Sequence, residues 1–409
     1  MIVASSKDSS AQHAACMDIH LLSRSERADA ARTWVLLEQR YGTGKLACSW
    51  DWTETWLHHY GSRVAHWFAV AERDGTPCGI ALITRGAFWP LGPNGIGSIH
   101  IGTAGEPRGE TVTVEYNRLL VAPEDRDAFA AALIAAIRRY RFSFMFRLDG
   151  FDPEDAQAML HAEPGFAPEY HANPTFDLDS ARRGGQTVLD ALRPSPRRNI
   201  RRSVRLLGEL QTEWAASPGE GLAILDELIE LHQRRWQRSG RRGSFASARF
   251  TGFHRDLIPR LMAREEAILF RVRNDEGTVG CLYCFVDEGS VLFYQSGFRH
   301  VTDNRIKPGL VTHALCMQAC LERGYRNYDF LMGEQRYKRE LATTERTLVT
   351  ATAYRYPILV PVADALQRLQ VIDAARRLML LRERVAVTRE NAMEPAARAR
   401  DASATNRHA

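Results

Sequence analysis

Asp329, Glu334, Tyr337 and Lys338 lie close together around Gly333. A carboxylate in such a group can take a proton from an attacking nucleophile, directly or through a water. A phenol can give one to a leaving group, and an ammonium can hold a phosphate or a substrate carboxylate as a point charge. Acyl transfer from a thioester needs these functions together with a donor for the developing oxyanion. Each residue also has a structural role open to it. Asp329 can cap the following turn or pair with Arg326 or Lys338, and Lys338 can lie along a solvated face. His232 adds a possible base: it stands four residues before Trp236 on one helix face, with Arg235 alongside. The competing reading is a satisfied structural histidine beside a core tryptophan.

These residues need elements to place them. Ile268 to Val272 and Val279 to Val286 are short apolar runs broken by Asn274-Asp275-Glu276-Gly277, which predicts a hairpin, with Ser290 to Gly297 as a third strand. Lys307-Pro308-Gly309-Leu310 then opens a helix with apolar residues at Leu310, Val311, Ala314, Leu315 and Met317, followed by a strand over Tyr325 to Met332. Proline suits the first helical turn, glycine lets a ligand approach the backbone, and the free N–H groups there can hold a pyrophosphate. A helix between two parallel strands brings that loop to a sheet end, where ligands tend to bind.

The first half echoes this order. Phe68 to Ile83 reads strand, Asp-Gly-Thr turn, strand, as does Leu269 to Phe285, and the turn glycines Gly75 and Gly277 are 202 residues apart (277 minus 75). Either the chain holds a duplicated domain or two hairpins share common turn chemistry. Ala128 to Tyr140 then predicts a helix and Phe142 to Leu148 a strand, without the Pro-Gly helix head. Leu222 to Trp236 predicts a helix of the second half. The expected organisation is a loosely ordered leader over 1–20, domains over 21–180 and 181–356, an amphipathic helix over 357–391 and a disordered tail over 392–409.

Composition narrows the function classes. The chain has 409 residues, 45% apolar and 25% charged, which suits two soluble domains. A net charge of +5 demands no DNA partner but permits anionic ligands. The face formed by Arg198, Arg201, Arg202 and Arg205 can grip phosphates or be a solvated surface, and no aromatic residue interleaves it as single-strand binding would want. Seven scattered cysteines and a start without an apolar signal core point to the reducing cytoplasm, and no run of about eighteen apolar residues suggests a membrane span. Cys281 and Cys284 fall on opposite strand faces and Cys316 and Cys320 on a helix, so no metal site is expected. Gly42-Thr43-Gly44-Lys45 lacks the spacing of a phosphate loop. Val362 to Val387 presents Arg376, Arg377, Arg382 and Arg384 on one side, for packing on a domain edge or for peripheral contact with an anionic membrane.

Four segments carry a resemblance: Arg197-Arg198-Asn199-Ile200-Arg201-Arg202, Leu231-His232-Gln233-Arg234-Arg235-Trp236, Phe293-Tyr294-Gln295-Ser296-Gly297-Phe298, and Tyr328-Asp329-Phe330-Leu331-Met332-Gly333 leading to Tyr337-Lys338-Arg339. In order and spacing they resemble the acetyltransferase-like family of the CelD type, named for bacterial cellulose biosynthesis, whose members are similar to FemAB-type acyltransferases. The match covers roughly 185–345 well and the first half more faintly, through Ser49-Trp50-Asp51-Trp52-Thr53-Glu54-Thr55-Trp56. The resemblance implies an α/β fold of two tandem GNAT-like domains with mixed central sheets flanked by helices. It also implies transfer of an acetyl or longer acyl group from acyl-CoA to an amine or hydroxyl of a small molecule or glycan precursor. Taken with the residue chemistry above, Lys307, Pro308, Gly309, Leu310 and Gln295 are expected to hold the coenzyme. Arg198, Arg202, Arg235, Trp236 and Tyr294 hold the acceptor, and Asp329, Glu334, Tyr337, Lys338 and His232 are the reacting groups. A FemAB-like transferase drawing on charged tRNA and a silent GNAT-like binding protein are the alternatives. The usual glycine-rich pyrophosphate loop is here reduced to Arg305-Ile306-Lys307-Pro308-Gly309.

Overall fold

The computed structural model describes residues 17–41, 46–87, 97–107, 109–113, 115–139, 143–333 and 335–355. The expectations for the leader up to residue 16, for Gly42 to Lys45, for Glu334, and for the helix and tail beyond 356 lie outside the described residues.

The first half runs β1 (Asp18–Leu22), α1 (Arg27–Tyr41), α2 (Trp50–Tyr60), β2 (Ala65–Arg73), β3 (Thr76–Ala87), β4 (Gly97–Ile101), β5 (Leu120–Val121), α3 (Arg126–Arg138), β6 (Ser143–Phe151), α4 (Pro153–Ala162) and β7 (Phe166–Asp177). After α5 (Leu178–Arg183), α6 (Val188–Ala191) and α7 (Pro194–Leu207) the order repeats. It runs β8 (Gln211–Trp214), α8 (Pro218–Arg238), α9 (Ala248–Met262), β9 (Ala267–Asn274), β10 (Gly277–Asp287), β11 (Ser290–Phe298), α10 (Pro308–Glu322), β12 (Asn327–Asp329), α11 (Arg336–Leu341) and β13 (Thr344–Tyr354). The two hairpins read from the sequence are both present. The first turns at Asp74 and Gly75, with φ of 51° and 70°, the left-handed pair that matches the twist of a tight hairpin.

All thirteen strands form one mixed sheet in the order β1-β2-β3-β4-β6-β13-β7-β12-β11-β10-β9-β8, with β5 on β3. Read from either end the order is the same: four strands of one half, its fifth, then the last strand of the other half. β13 lies beside β6, and β7 lies beside β12, so the halves exchange their final strands. β7 pairs antiparallel with β13 from Phe166↔Ala353 to Thr175↔Thr344, then with β12 from Thr175↔Asp329 to Asp177↔Asn327. Residues through Ala353 accordingly form one compact unit.

Helices cover both faces. α1 and α2 of the first half and α8 and α9 of the second share one core, in which Trp52 meets Phe253 and Phe285 edge-on at 5.2 and 5.6 Å. Aromatic pairs of this kind add roughly 0.5–1.5 kcal/mol beyond their area. On the opposite face α3 and α4 cover the first half, and α5, α7 and α10 cover the second. Cys281 belongs to the first of these cores and Cys284 to the last, so the strand does turn them to opposite sides. No helix among the described residues is long and apolar enough to cross a membrane.

Candidate active site

The sheet opens between two parallel strands. β11 and β12 pair at Ser290↔Asn327, Val291↔Tyr328 and Leu292↔Asp329, and there the pairing ends while β11 runs on to Phe298. Just beyond, the register against β10 skips Tyr294: Cys284 faces Phe293 but Tyr283 faces Gln295. A bulge of this kind bends its strand and increases the local twist. Among the described residues no strand pairs with the β12-side edge of β11 from Phe293 onward, so its backbone N–H and C=O groups have no strand partner on that side.

α10 begins close by. Pro308 stands at the first turn and no side chain caps the start, which leaves backbone N–H groups free for an anion. The Lys307 N–H donates to Ser203 Oγ at 3.0 Å, tying this loop to α7, while the Lys307 side chain is exposed. Gly309 serves packing as well: a Cβ there would come within 3.1 Å of the Phe298 ring. Leu310 is buried behind it, and Gln295 and Tyr294 are half-buried on the bulged strand.

Where β12 ends, both halves converge. Asp329 is fully buried, and its Oδ2 accepts from the Tyr116 hydroxyl and from Thr175 Oγ1 at 3.2 Å. Its Oδ1 accepts from the Leu331 N–H at 2.7 Å. Burial raises this carboxyl above its ordinary range, against the hydrogen bonds from Tyr116 and Leu331. Leu331 has a φ of 58°, costly for a branched side chain, and the turn is held from several sides. Glu115 Oε2 accepts from the Met332 N–H at 2.7 Å, and the buried Lys338 ammonium donates to the carbonyls of Leu331 and Met332 at 3.1 and 2.6 Å. Lys338 therefore sits inside the turn rather than on a solvated face, and burial lowers its pKa while Glu115 and Asp329 counter the shift.

Glu115 is half-buried, and burial pushes its carboxyl up to about 7, with Asp329 adding repulsion and the Met332 N–H and Lys338 opposing it. With Tyr294 and Leu331 it lines a small cavity of about 20 Å³ beside the bulge. Asn173, fully buried on β7, faces Tyr116 and Glu115 without a well-formed hydrogen bond from its amide. Glu115, Tyr116 and Asn173 are absent from the sequence reading. The first two lie in an irregular segment with no periodic signal, and Asn173 reaches the end of β12 through the strand exchange.

The remaining expected residues form two further groups. His232 and Trp236 face each other on α8, where Trp236 Nε1 donates to His232 Nε2 at 2.8 Å and Nδ1 lies 3.1 Å from Gln233 Oε1. Both ring nitrogens are thus engaged, and burial lowers the pKa of this histidine. Tyr337 stacks on His313 at 5.4 Å, and burial pushes its hydroxyl up to about 12, with exposed Arg235 acting in the opposite sense. Arg198 is exposed and lines a groove of about 670 Å³ along α7 with Arg197, Arg201 and Arg205. Arg202 instead donates to Asn199 on its own helix.

Residues 194–339 match the family model of the acetyltransferase (GNAT) domain. The structure is similar to a crystal structure of FemX, at 12% identity over 83% of this chain and 98% of that one, with a TM-score of 0.51. It is equally similar to the C-terminal domain of a putative lysylphosphatidylglycerol synthetase from Agrobacterium fabrum, at 13% identity over 83% of this chain and 96% of that one, with a TM-score of 0.51. At such identities the likeness is one of fold. A search of curated proteins finds none that matches the chain. The matched segment reaches from α7 into α11, and the first half repeats the strand and helix order of the second. The chain is therefore an α/β protein of two GNAT-like halves in tandem.

Proposed function

We propose that this chain transfers an acyl group from a coenzyme A thioester to an amine or hydroxyl, with the donor in the opening between β11 and β12. The observation that carries this reading is the divergence of those strands after Leu292↔Asp329, with the uncapped start of α10 close by. An extended chain bearing amide groups can pair with the bare β11 edge, and a pyrophosphate suits the N–H groups at the head of α10.

Glu115 is the group we assign to take the acceptor's proton, because it is half-open, lies at the junction and has a carboxyl near 7. Asp329 already accepts several hydrogen bonds and anchors the junction instead. Tyr337, held protonated near neutral pH, is suited to return a proton to the leaving thiolate. Lys338 supports the turn that carries these groups. A precursor of an exported polysaccharide or envelope component, met in the cytoplasm, is the acceptor class that fits the CelD-type resemblance.

A second reading has its own observation. The groove lined by Arg197, Arg198, Arg201 and Arg205 suits a polyanion, as transfer from a charged tRNA would require.

Calorimetric titration of acetyl-CoA and longer acyl-CoAs separates the two. We expect saturable binding that weakens about tenfold, roughly 1.4 kcal/mol, in Lys307→Glu. That exposed side chain reverses the local charge without crowding Phe298 as a change at Gly309 would. Absence of binding to every acyl-CoA sinks the donor assignment.

A further inference from the structure

The first half has its own pair of parallel strands beside a cavity. β4 pairs with β6 from Gly97↔Ser143 to His100↔Arg147, as β11 does with β12. Ser98 and His100 are two residues apart on β4 and so project on one face, with Asp149 on the neighbouring strand. A cavity of about 400 Å³ is lined by all three, together with Glu106, Arg147 and Met332.

The trio is bonded in series. His100 Nδ1 lies 2.6 Å from Asp149 Oδ2, and its Nε2 lies 2.7 Å from Ser98 Oγ. Arg147 holds the other oxygen of Asp149, with Nε at 3.1 Å and Nη2 at 3.0 Å. Burial pushes the Asp149 carboxyl up, but the hydrogen bond and charge of His100 and the Arg147 guanidinium outweigh it and leave the group below its ordinary value. An ionised carboxylate only accepts, so Nδ1 carries a hydrogen, and in the neutral ring Nε2 is then the nitrogen that accepts from the Ser98 hydroxyl. The serine proton therefore has a base, and the base has a partner that fixes its tautomer. Space is kept open as well. A Cβ on Gly86, which also lines the cavity, would come 3.1 Å from both Ser98 Oγ and His100 Nε2.

We propose that Ser98 is an activated nucleophile that takes up an acyl group from an ester or thioester small enough for this cavity, with His100 as its base and Asp149 as the positioning residue. As Oγ bonds to the acyl carbon, the hydroxyl proton passes to Nε2. The C–S or C–O bond of the donor breaks, and the leaving group takes that proton. Water or an amine then attacks the acyl-serine by the reverse path and restores the hydroxyl. This centre lies in the first half and does not rest on the donor site assigned to the second.

The test uses the full chain and an alkyl fluorophosphonate, which forms an O–P bond with an activated serine as fluoride leaves. Intact-protein mass should show one phosphonyl adduct, mapped to Ser98 by peptide mass and absent in Ser98→Ala. Asp149→Asn and His100→Gln should slow the labelling at least tenfold while their melting temperatures stay near wild type. Should a polar change disturb folding, Ser98→Cys provides a second reading: its thiol should be alkylated by iodoacetamide faster than the buried native cysteines. No adduct on the wild type, an adduct that survives Ser98→Ala, or labelling indifferent to His100 and Asp149 would show an inert structural trio and overturn the proposal.

Discussion

The hydroxyl of Tyr116 donates to Oδ2 of Asp329 across 213 residues of sequence, from the first half of the chain to the end of β12 in the second. Tyr116 holds a left-handed backbone, with φ of 58°, as does Leu331 two residues past Asp329. Two strained residues thus meet at one buried carboxylate, and the cost is borne because the hydrogen bonds at the junction depend on both.

Tyr116→Phe removes one donor from that carboxylate and leaves Thr175 and the Leu331 N–H in place. We expect a loss of about 1–3 kcal/mol in urea unfolding followed by tryptophan fluorescence. Combined with Asp329→Ala, which leaves no acceptor, the loss should fall short of the sum of the single changes, since both remove the same contact. Additive losses would mean that the bond between them contributes nothing of its own.

Burial pushes the carboxyls of Glu106 and Glu115 up to about 7. In the unfolded chain a glutamate titrates near about 4.3, so between these values the folded state binds more protons than the unfolded one. Their contribution to stability is therefore full at the acid end, falls as pH rises toward about 7, and levels off above. Glu115→Gln should flatten part of that slope in urea midpoints taken across the range. If Glu115 is the base, the transfer rate should rise with pH to a midpoint near 7, and the variant should lose that rise. An unchanged slope and an unchanged rate profile would remove Glu115 from both roles.

Lys338→Met takes the ammonium from the carbonyls of Leu331 and Met332. Losing a buried charged hydrogen bond of this kind costs roughly 1.5–3 kcal/mol, and arginine should not restore it because its planar fork does not fit a site shaped for a compact ammonium. Hydrogen exchange read by mass spectrometry should show the Leu331 and Met332 amides losing protection in the variant. Protection retained there would mean that Asp329 and Glu115 hold the turn without the lysine.

Local chemistry in this chain was legible and long-range pairing was not. The turn at Gly75 and the head of α10 at Pro308 have signatures of a few residues, and both stand where the sequence places them. The helix expected over Leu222 to Trp236 is α8, longer by about a turn at its start because Ser217 caps Glu220 ahead of Pro218 and Gly219. The strand expected over Tyr325 to Met332 shrinks to Asn327–Asp329, because the left-handed Leu331 ends it. The exchange of β7 and β13 left no local trace, since neither strand differs in composition from one that pairs within its own half. That exchange is what brings Asn173 and Thr175 to Asp329, so the junction could not be assembled from spacing. Ser98 and His100 were hidden differently: β4 is buried throughout, and two polar residues on a short buried strand look like satisfied core groups until Asp149 is seen beside them.

Gly297 offers a test of which wall the donor lies along. A Cβ there would press into the Leu228 carbonyl and stand 2.8 Å from the Leu231 Cβ, so Gly297→Ala must push β11 away from α8. Overpacking of this kind costs about 1–3 kcal/mol, which a thermal melt will register. The same displacement moves the unpaired edge that begins at Phe293 and ends at Phe298, the wall to which we assign the donor. Acyl-CoA affinity should therefore fall in a variant that remains folded at the assay temperature, by more than in Lys307→Glu, because the whole edge shifts rather than one charge. Affinity that holds while the melting temperature drops would place the donor away from β11 and leave the bulge at Tyr294 a feature of packing alone.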